Sequence, residues 1–333
     1  MYRHQLAISV LCAATLSGCL ATTGGGSGAA APQGQSAGAA AATVVKLEVD
    51  REKNFGDSPT IVVPTLYLRL PVEGRVAVSQ QGSALRAVGR GNTNTVKASA
   101  NFKVNGLDKA LAQGIAKKAY DDFVGKLRAA GYRVLTWDDI KDQDAMKGAD
   151  RLAVDATYGL PVEDGHLVVS PSDAQNIKRG MTGSPFLSMG KSALKEGTIL
   201  IPQYTITAPQ AWGEKGGGVD SISAGVNLAP SMNLQSAIVA LNTHGGGWGS
   251  AKLTAPVFIS ESTGTLAKTE DTSPGAANAV STGLSFLSGA GKISKSSANY
   301  SFTVDRKAYE EGALKGLGQF HDEVVKVAAA ARK

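Results

Sequence analysis

The chain has 333 residues, 34 Lys and Arg against 28 Asp and Glu, a formal net charge of +6, and two cysteines. Its basic and acidic residues are interleaved and no basic cluster is laced with aromatics, which argues against a nucleic-acid partner. Two cysteines argue against a disulfide framework or a thiolate metal centre.

The first element in chain order is a leader. Arg3 and His4 give a positive start, Leu6 to Leu16 is a short apolar run, and Ser17 and Gly18 lead into Cys19. This reads as a secretory signal, because a stable bilayer-spanning helix needs about 20 apolar residues. Leu16-Ser17-Gly18-Cys19 resembles the lipobox of bacterial lipoproteins. The resemblance implies that residues 1–18 are removed as a signal peptide, that Cys19 becomes the lipidated N-terminus, and, since Leu20 rather than Asp follows it, that the anchor lies in the outer membrane with the body in the periplasm. An ordinary secreted protein cleaved nearby is the plainer alternative. Each buried CH₂ of an acyl chain adds roughly 0.8 kcal/mol to membrane binding, so several chains on one cysteine hold firmly. With Cys12 removed and Cys19 acylated, no free thiol would remain.

Residues 19–42 follow as a lipidated cysteine and a tether. From Ala21 to Ala42 there is no charge and no side chain larger than Gln. As a coil, about 24 such residues span about 27 Å, from 5–6 Å times the square root of length. The body beyond it is long enough for one large or two modest domains.

The body reads as α/β (α+β): a layered mixed sheet with two amphipathic helices, plus a β-rich insertion of about four strands. Residues 43–196 form the first segment of the α/β domain. Thr60 to Leu70 is apolar and β-branched and predicts a strand, and Val96, Ala98, Ala100, Phe102 and Val104 predict a second. The turn-rich Ser79 to Thr95 between them predicts a loop. Leu107, Leu111, Ile115, Ala119, Phe123 and Leu127 recur at about four-residue spacing, predicting a helix that ends in Arg128 before Gly131. Tyr132 to Trp137 predicts a strand, Asp138 to Ala149 a short helix or turn, and Asp150 to Leu160 another strand. Residues 299–333 close the domain with a strand, Asn299 to Asp305, and a second amphipathic helix through Tyr309, Leu314, Leu317, Phe320, Val324 and Val327.

Residues 197–298 are the β-rich insertion. From Ser221 to Ala251 there is no Asp, Glu, Lys or Arg, and Ile222, Ala224, Val226 and Leu228 alternate with small polar residues, a phase that continues through Met232 and Leu234. Two readings fit. One is an ordinary half-wet sheet; the other is a set of membrane hairpins, whose strands run about nine to eleven residues with one apolar face. Thr198 to Thr207 and Lys252 to Ser260 are neighbouring strand candidates, and Trp212 and Trp248 stand near glycine-rich turns where an aromatic belt would sit. Ser236 to Leu241 fits a helix equally well.

With these residues in view, the body is similar in outline to the curli-secretion-channel family of outer-membrane lipoproteins. The similarity lies in the lipobox ending at Cys19, the strand Thr60 to Leu70, the helix Leu107 to Ala130 with the strands after it, and the closing helix that begins in "TVDRKAYEEGALKGL". It implies a periplasmic α/β domain that contributes β-hairpins to a pore shared among subunits, a role that would fall to residues 198–260. Pro202, Pro209, Pro230 and Pro256 depart from that pattern, because Pro cannot donate to a strand ladder.

No catalytic, cofactor-binding or metal-binding residue is expected, and the one site residue is Cys19. "HGGGW" (His244 to Trp248) has the glycine run of an esterase oxyanion hole, but no G-x-S-x-G accompanies it, and a turn is the simpler reading. "GKS" at Gly190 to Ser192 has Pro185 where a phosphate loop needs glycine. His166, His244 and His321 are too dispersed for a metal spacing, with a surface or core role expected for each. Asp121 and Asp122, Asp138 and Asp139, and Glu310 and Glu311 are adjacent pairs, which do not face one another on a helix and read as solvated faces. The expectation is a non-enzymatic lipoprotein of cell-envelope assembly or export. It would touch the bilayer through Cys19 and act as an oligomer of itself or with other envelope proteins. A monomeric scaffold, and more remotely an esterase, are the alternatives.

Overall fold

The computed structural model describes residues 44–56, 58–81, 95–178, 197–216, 223–243, 246–271 and 294–332. In chain order its elements are β1 (Leu47–Asp50), α1 (Lys53–Gly56), β2 (Thr60–Val62), β3 (Tyr67–Pro71), β4 (Glu73–Gln81), β5 (Thr95–Asn105), α2 (Lys109–Ala129), β6 (Arg133–Leu135), α3 (Trp137–Ile140), α4 (Asp144–Lys147), β7 (Val162–Glu163) and β8 (His166–Val169). There follow β9 (Gly197–Thr207), β10 (Gln210–Gly216), β11 (Ser223–Ala229), β12 (Met232–Asn242), β13 (Trp248–Leu253), β14 (Val257–Ile259), β15 (Gly264–Asp271), β16 (Ser294–Val304) and α5 (Arg306–Ala331).

The elements make an α+β fold with three sheets. The large one runs β1-β13-β12-β9-β3-β8-β7, with β14 on β12 and with β2 joining β6 to β9. A second sheet runs β15-β16-β5-β4, and β10-β11 stands apart as a two-stranded sheet. β9 is the hub: antiparallel to β12, it takes β2 in parallel at 197–199 and β3 in parallel at 203–205. Pro202 falls between those two pairings, where the ladder on that side is interrupted and a residue without an N–H is tolerated. Pro209, Pro230 and Pro256 lie between strands, at the junctions β9/β10, β11/β12 and β13/β14.

Helices α2 and α5 lie side by side and share the main core with the large sheet. Both start on an aspartate cap: Asp108 accepts from the Leu111 N–H at 2.8 Å and Asp305 from the Ala308 N–H at 3.0 Å. Arg306 pairs with Asp108 and ties the two starts together. Gly131, with φ of +86°, ends the turn after α2 as the sequence predicts. Leu111, Ile115, Phe123 and Leu127 of α2 and Tyr309, Leu317, Phe320 and Val324 of α5 are buried. Gly312 lets α5 approach the sheet closely, because a Cβ there would stand 3.1 Å from Met232 Sδ and 3.2 Å from Thr263 Cγ2. A smaller core, Val62, Tyr67, Ile140, Met146, Val168, Ile177, Ile199 and Ile201, packs the short helices α3 and α4 against strands of the large sheet.

Several expectations need correction. Thr60 to Leu70 is two strands, since the chain leaves the sheet at Pro64 and Thr65: the Pro64 carbonyl accepts from Gln175 Nε2 at 3.1 Å, and the Thr65 hydroxyl donates to the Gln175 carbonyl at 3.0 Å. Asp150 to Leu160 is not a strand but two isolated bridges around a turn, because Asp155 Oδ1 accepts from the N–H groups of Thr157 and Tyr158. Residues 197–298 are not a separate insertion, since β9, β12 and β13 belong to the large sheet and β16 to the second. Ser236 to Leu241 is strand, within β12. The uncharged segment takes the ordinary reading of its two. Ala224, Val226 and Leu228 of β11 and Leu234, Val239 and Leu241 of β12 are buried in the protein's own core, so their apolar face is already occupied.

Candidate functional site

Three elements converge on one polar chain that runs from the surface into the core. Asp122 and Lys126 stand one turn apart on α2, His321 and Asp322 are neighbours on α5, and Tyr204 rises from β9. His321 is fully buried, with its ring centroid 5.0 Å from that of Phe123. Burial holds its imidazole below the ordinary value despite the nearby Asp122 carboxylate, so the ring is neutral at pH 7. Nδ1 therefore donates to Asp122 Oδ2 at 2.7 Å, and Nε2 accepts from the Tyr204 hydroxyl at 2.7 Å. Burial alone would raise the Asp122 carboxyl, but the His321 hydrogen bond and the Lys126 ammonium outweigh it and hold it below the usual range. Burial pushes the Tyr204 hydroxyl well above its ordinary value. Lys126 Nζ completes the set, 3.1 Å from Asp122, 2.8 Å from Asp322, and donating to the Gly318 carbonyl at 2.8 Å.

A cleft of about 190 Å³ opens beside this chain, lined by Asp122 and His321 with Lys118, Leu314, Leu317 and Gly318. Tyr204 does not line it, and its proton is committed to the imidazole. The arrangement holds a proton at His321 Nδ1 and fastens two helices to the central strand.

The other residues singled out in the sequence are dispersed. Cys19, His244 and Gly190 to Ser192 lie outside the described residues. His166, on β8, has its Nδ1 2.8 Å from the Asp164 carbonyl. Asp121 pairs with Lys117 at 2.6 Å while its neighbour Asp122 turns to His321. Asp138 pairs with Lys141 at 3.0 Å and Asp139 caps α3 through Thr136. Glu310 pairs with Lys118, and Glu311 lies 3.8 Å from Lys307. Among the described residues no group of His, Cys, Asp and Glu is placed to hold a metal, and no helix is long and apolar enough to cross a membrane, which leaves strands untouched as a question. Trp212 and Trp248 sit on different sheets; Trp248 is half exposed, with the Arg51 guanidinium 3.8 Å from its ring centroid.

The second sheet is the other candidate. It consists of two hairpins of like build, β4-β5 and β15-β16, each followed by an aspartate-capped helix. Each sets a phenylalanine over an edge glycine: a Cβ at Gly74 would lie 2.3 Å from the Phe102 ring, and one at Gly264 2.8 Å from the Phe302 ring. The hairpins join through β5 and β16, which pair in parallel from Val96 and Ser294 to Asn105 and Thr303. One face of the sheet is polar, with Asn101 Nδ2 donating to Asn299 Oδ1 at 3.0 Å and Asn105 Nδ2 to Ser301 Oγ at 2.7 Å. The other carries Val76, Val78, Val96, Ala98, Ala100, Phe102, Val104, Leu266, Tyr300 and Phe302, all in or against the main core. Among the described residues, β4 and β15 are the outer strands of this sheet.

The sequence reading found β5 and the end of β16 but missed their outer partners, because β4 carries Glu73 and Arg75 and runs on into residues that read as a loop, and β15 carries Lys268, Glu270 and Asp271. The usable signal was the alternation in Val76 and Val78 and the likeness of "NFKVNGLDKA" to "SFTVDRKAYE". No protein-family model, no curated protein and no solved structure matches this chain.

Proposed function

We propose that the chain is a non-enzymatic lipoprotein, held at the outer membrane by lipid on Cys19, whose body works by assembly in envelope construction or export. The observation that carries this reading is the sheet of two hairpins that ends, among the described residues, in β4 on one side and β15 on the other. Strands β4 and β15 run the same way and stand, among the described residues, at opposite ends of one sheet, which favours head-to-tail association between copies. The hairpins also suit a role that the sequence reading gave to residues 198–260. The β4-β5 strands have 9 and 11 residues with one apolar and one polar face, against the 9–11 or so of a strand that crosses a bilayer, whereas β15 has 8 and sets Lys268 opposite Tyr300 on the apolar side. Bacterial barrels are antiparallel throughout, so the antiparallel hairpin, and not the parallel β5-β16 contact, is the inserting unit in this reading.

The test uses the scarcity of cysteine. Ala77→Cys and Ala267→Cys place thiols on opposite edges, separated within one sheet by three strand spacings, about 14 Å, beyond the reach of a disulfide. Oxidation of the full chain in detergent is expected to give a ladder of cross-linked oligomers on a non-reducing gel. A product that stays monomeric, together with monomeric light scattering and no conductance in planar bilayers, overturns the reading. A monomeric scaffold is the second reading, favoured by the sparse apolar surface: among the described residues the exposed large hydrophobics are Val44, Val154, Trp248 and Phe258.

A further inference from the structure

The β10-β11 hairpin has an unusual attachment. It pairs with neither sheet, yet its inward residues Ala211, Ala224, Val226 and Leu228 belong to or pack against the core. What it lies on is the apolar face of β4 and β5, at close range: a Cβ at Gly213 would stand 3.0 Å from Val78 Cβ. Its two ends leave the large sheet together, at Ala208-Pro209 after β9 and Pro230-Ser231 before β12, where the Gln210 N–H donates to the Ser231 carbonyl at 2.9 Å. Pro209 and Pro230 have no N–H and break the ladder on both strands at the same level. The hairpin is thus an arm that leaves the large sheet at two prolines, its base held where the Pro230 carbonyl accepts from the Thr263 N–H at 2.7 Å, and it is laid across another sheet by side-chain packing.

The contact is built for modest hold. Ala211, Gly213 and Ala224 bury little apolar area each, and only Val226 and Leu228 are larger. The strands beneath have 9 and 11 residues. Val76 and Val78 of β4 and Val96, Ala98, Ala100, Phe102 and Val104 of β5 share the covered face, and no charged residue interrupts that phase of either strand. Left bare in water, such a face is an aggregation site.

Building on the assembly reading above, we propose that the apolar face of β4 and β5 is the surface that meets bilayer hydrocarbon, and that β10-β11 is its built-in cover, swung off at the Pro209 and Pro230 hinges when the hairpin enters. The occupant is lipid because the face is a strand pair of membrane-spanning length, apolar on this side and polar on the other, in a chain whose leader reading ties it to a bilayer. The cover keeps the face dry until then.

The experiment locks the cover. Val78→Cys with Gly213→Cys puts two thiols within bridging reach across the contact. The full chain is added to phosphatidylcholine–phosphatidylglycerol vesicles filled with a self-quenching dye. Wild type and the reduced double variant are expected to release dye at equal rates, the oxidised double variant at least tenfold more slowly, and reductant to restore the rate. Release by the oxidised form within twofold of the reduced form overturns the cover while leaving the assembly reading intact; no release by wild type overturns hairpin insertion itself. Val226→Asn, which loosens the cover without a cross-link, is expected to speed release severalfold, and an unchanged rate counts against the proposal whether or not the cysteine pair oxidises.

Discussion

The two ends of the β9-β12 hairpin are held in different ways. Along the large sheet it is fastened by ladders on both sides, by two helices, and by the Asp122–His321–Tyr204 chain that reaches through to β9. Past Pro209 and Pro230 the same two strands continue as β10-β11, paired only with each other among the described strands and resting on small apolar side chains. The difference teaches where this fold resists change and where it yields: directional bonds and large aromatics on one side, a thin dry contact on the other.

The comparison breaks if the helical side proves soft. Phe320, fully buried on α5 and edge-on to Tyr204 at a ring distance of 5.9 Å, is expected to cost about 3–5 kcal/mol as Phe320→Ala. The loss should appear as one cooperative shift of the urea midpoint reported alike by far-UV and aromatic signals; a change confined to one probe would mean that α5 is not part of the same unit. A smaller effect sharpens it. On the arm, Val226→Ala removes two methyl groups, worth about 1.6 kcal/mol at roughly 0.8 each. Amide exchange is expected to speed in β10 and β11 while the large sheet keeps its protection, whereas a uniform gain across the body would show the arm to be integral.

The smallest expected effect over a mild pH range is on the polar chain. His321 titrates below its ordinary value of 6.5 in the folded protein because it is buried, so below pH 6.5 the unfolded chain binds a proton that the folded one refuses. Stability is complete above 6.5 and falls as pH drops beneath it, by at most about 1.4 kcal/mol per unit. Asp122, lowered in turn, adds loss in the same direction once pH falls below the ordinary carboxylate value of 3.8. Urea midpoints at pH 7.5 and 5.5 should therefore differ more in wild type than in His321→Gln, and equal slopes would remove His321 as the cause.

The helices were legible because their signals are local: Leu111 to Leu127 at helical spacing and Arg128 before Gly131; the aspartates at both starts are a local signal the reading did not use. The α+β class followed from them. Strands were legible where β-branched residues alternate over a full element, as in β5 and β9, and illegible where a tertiary anchor ends a strand, as Gln175 does at Pro64. The absence of charge from Ser221 to Ala251 has two physical causes, a lipid face or a protein face, and only tertiary packing, such as that of Gly213 on Val78, separates them. Of the polar chain, the sequence allowed His321 a core place but read Asp122 as a solvated face. Its meeting with His321, 199 residues away, leaves no local trace.

Strand β16 seals the second sheet by lying beside β5, with Asn299 bonded to Asn101 across 198 positions, and α5 roofs the large sheet only after it. Neither layer can close before β16 and α5 have joined it, because the pieces that complete both lie far along the sequence from their partners. Contacts so distant along the chain slow folding, so β4, β5 and α2 wait as an incomplete layer whose last partners set the pace of closure.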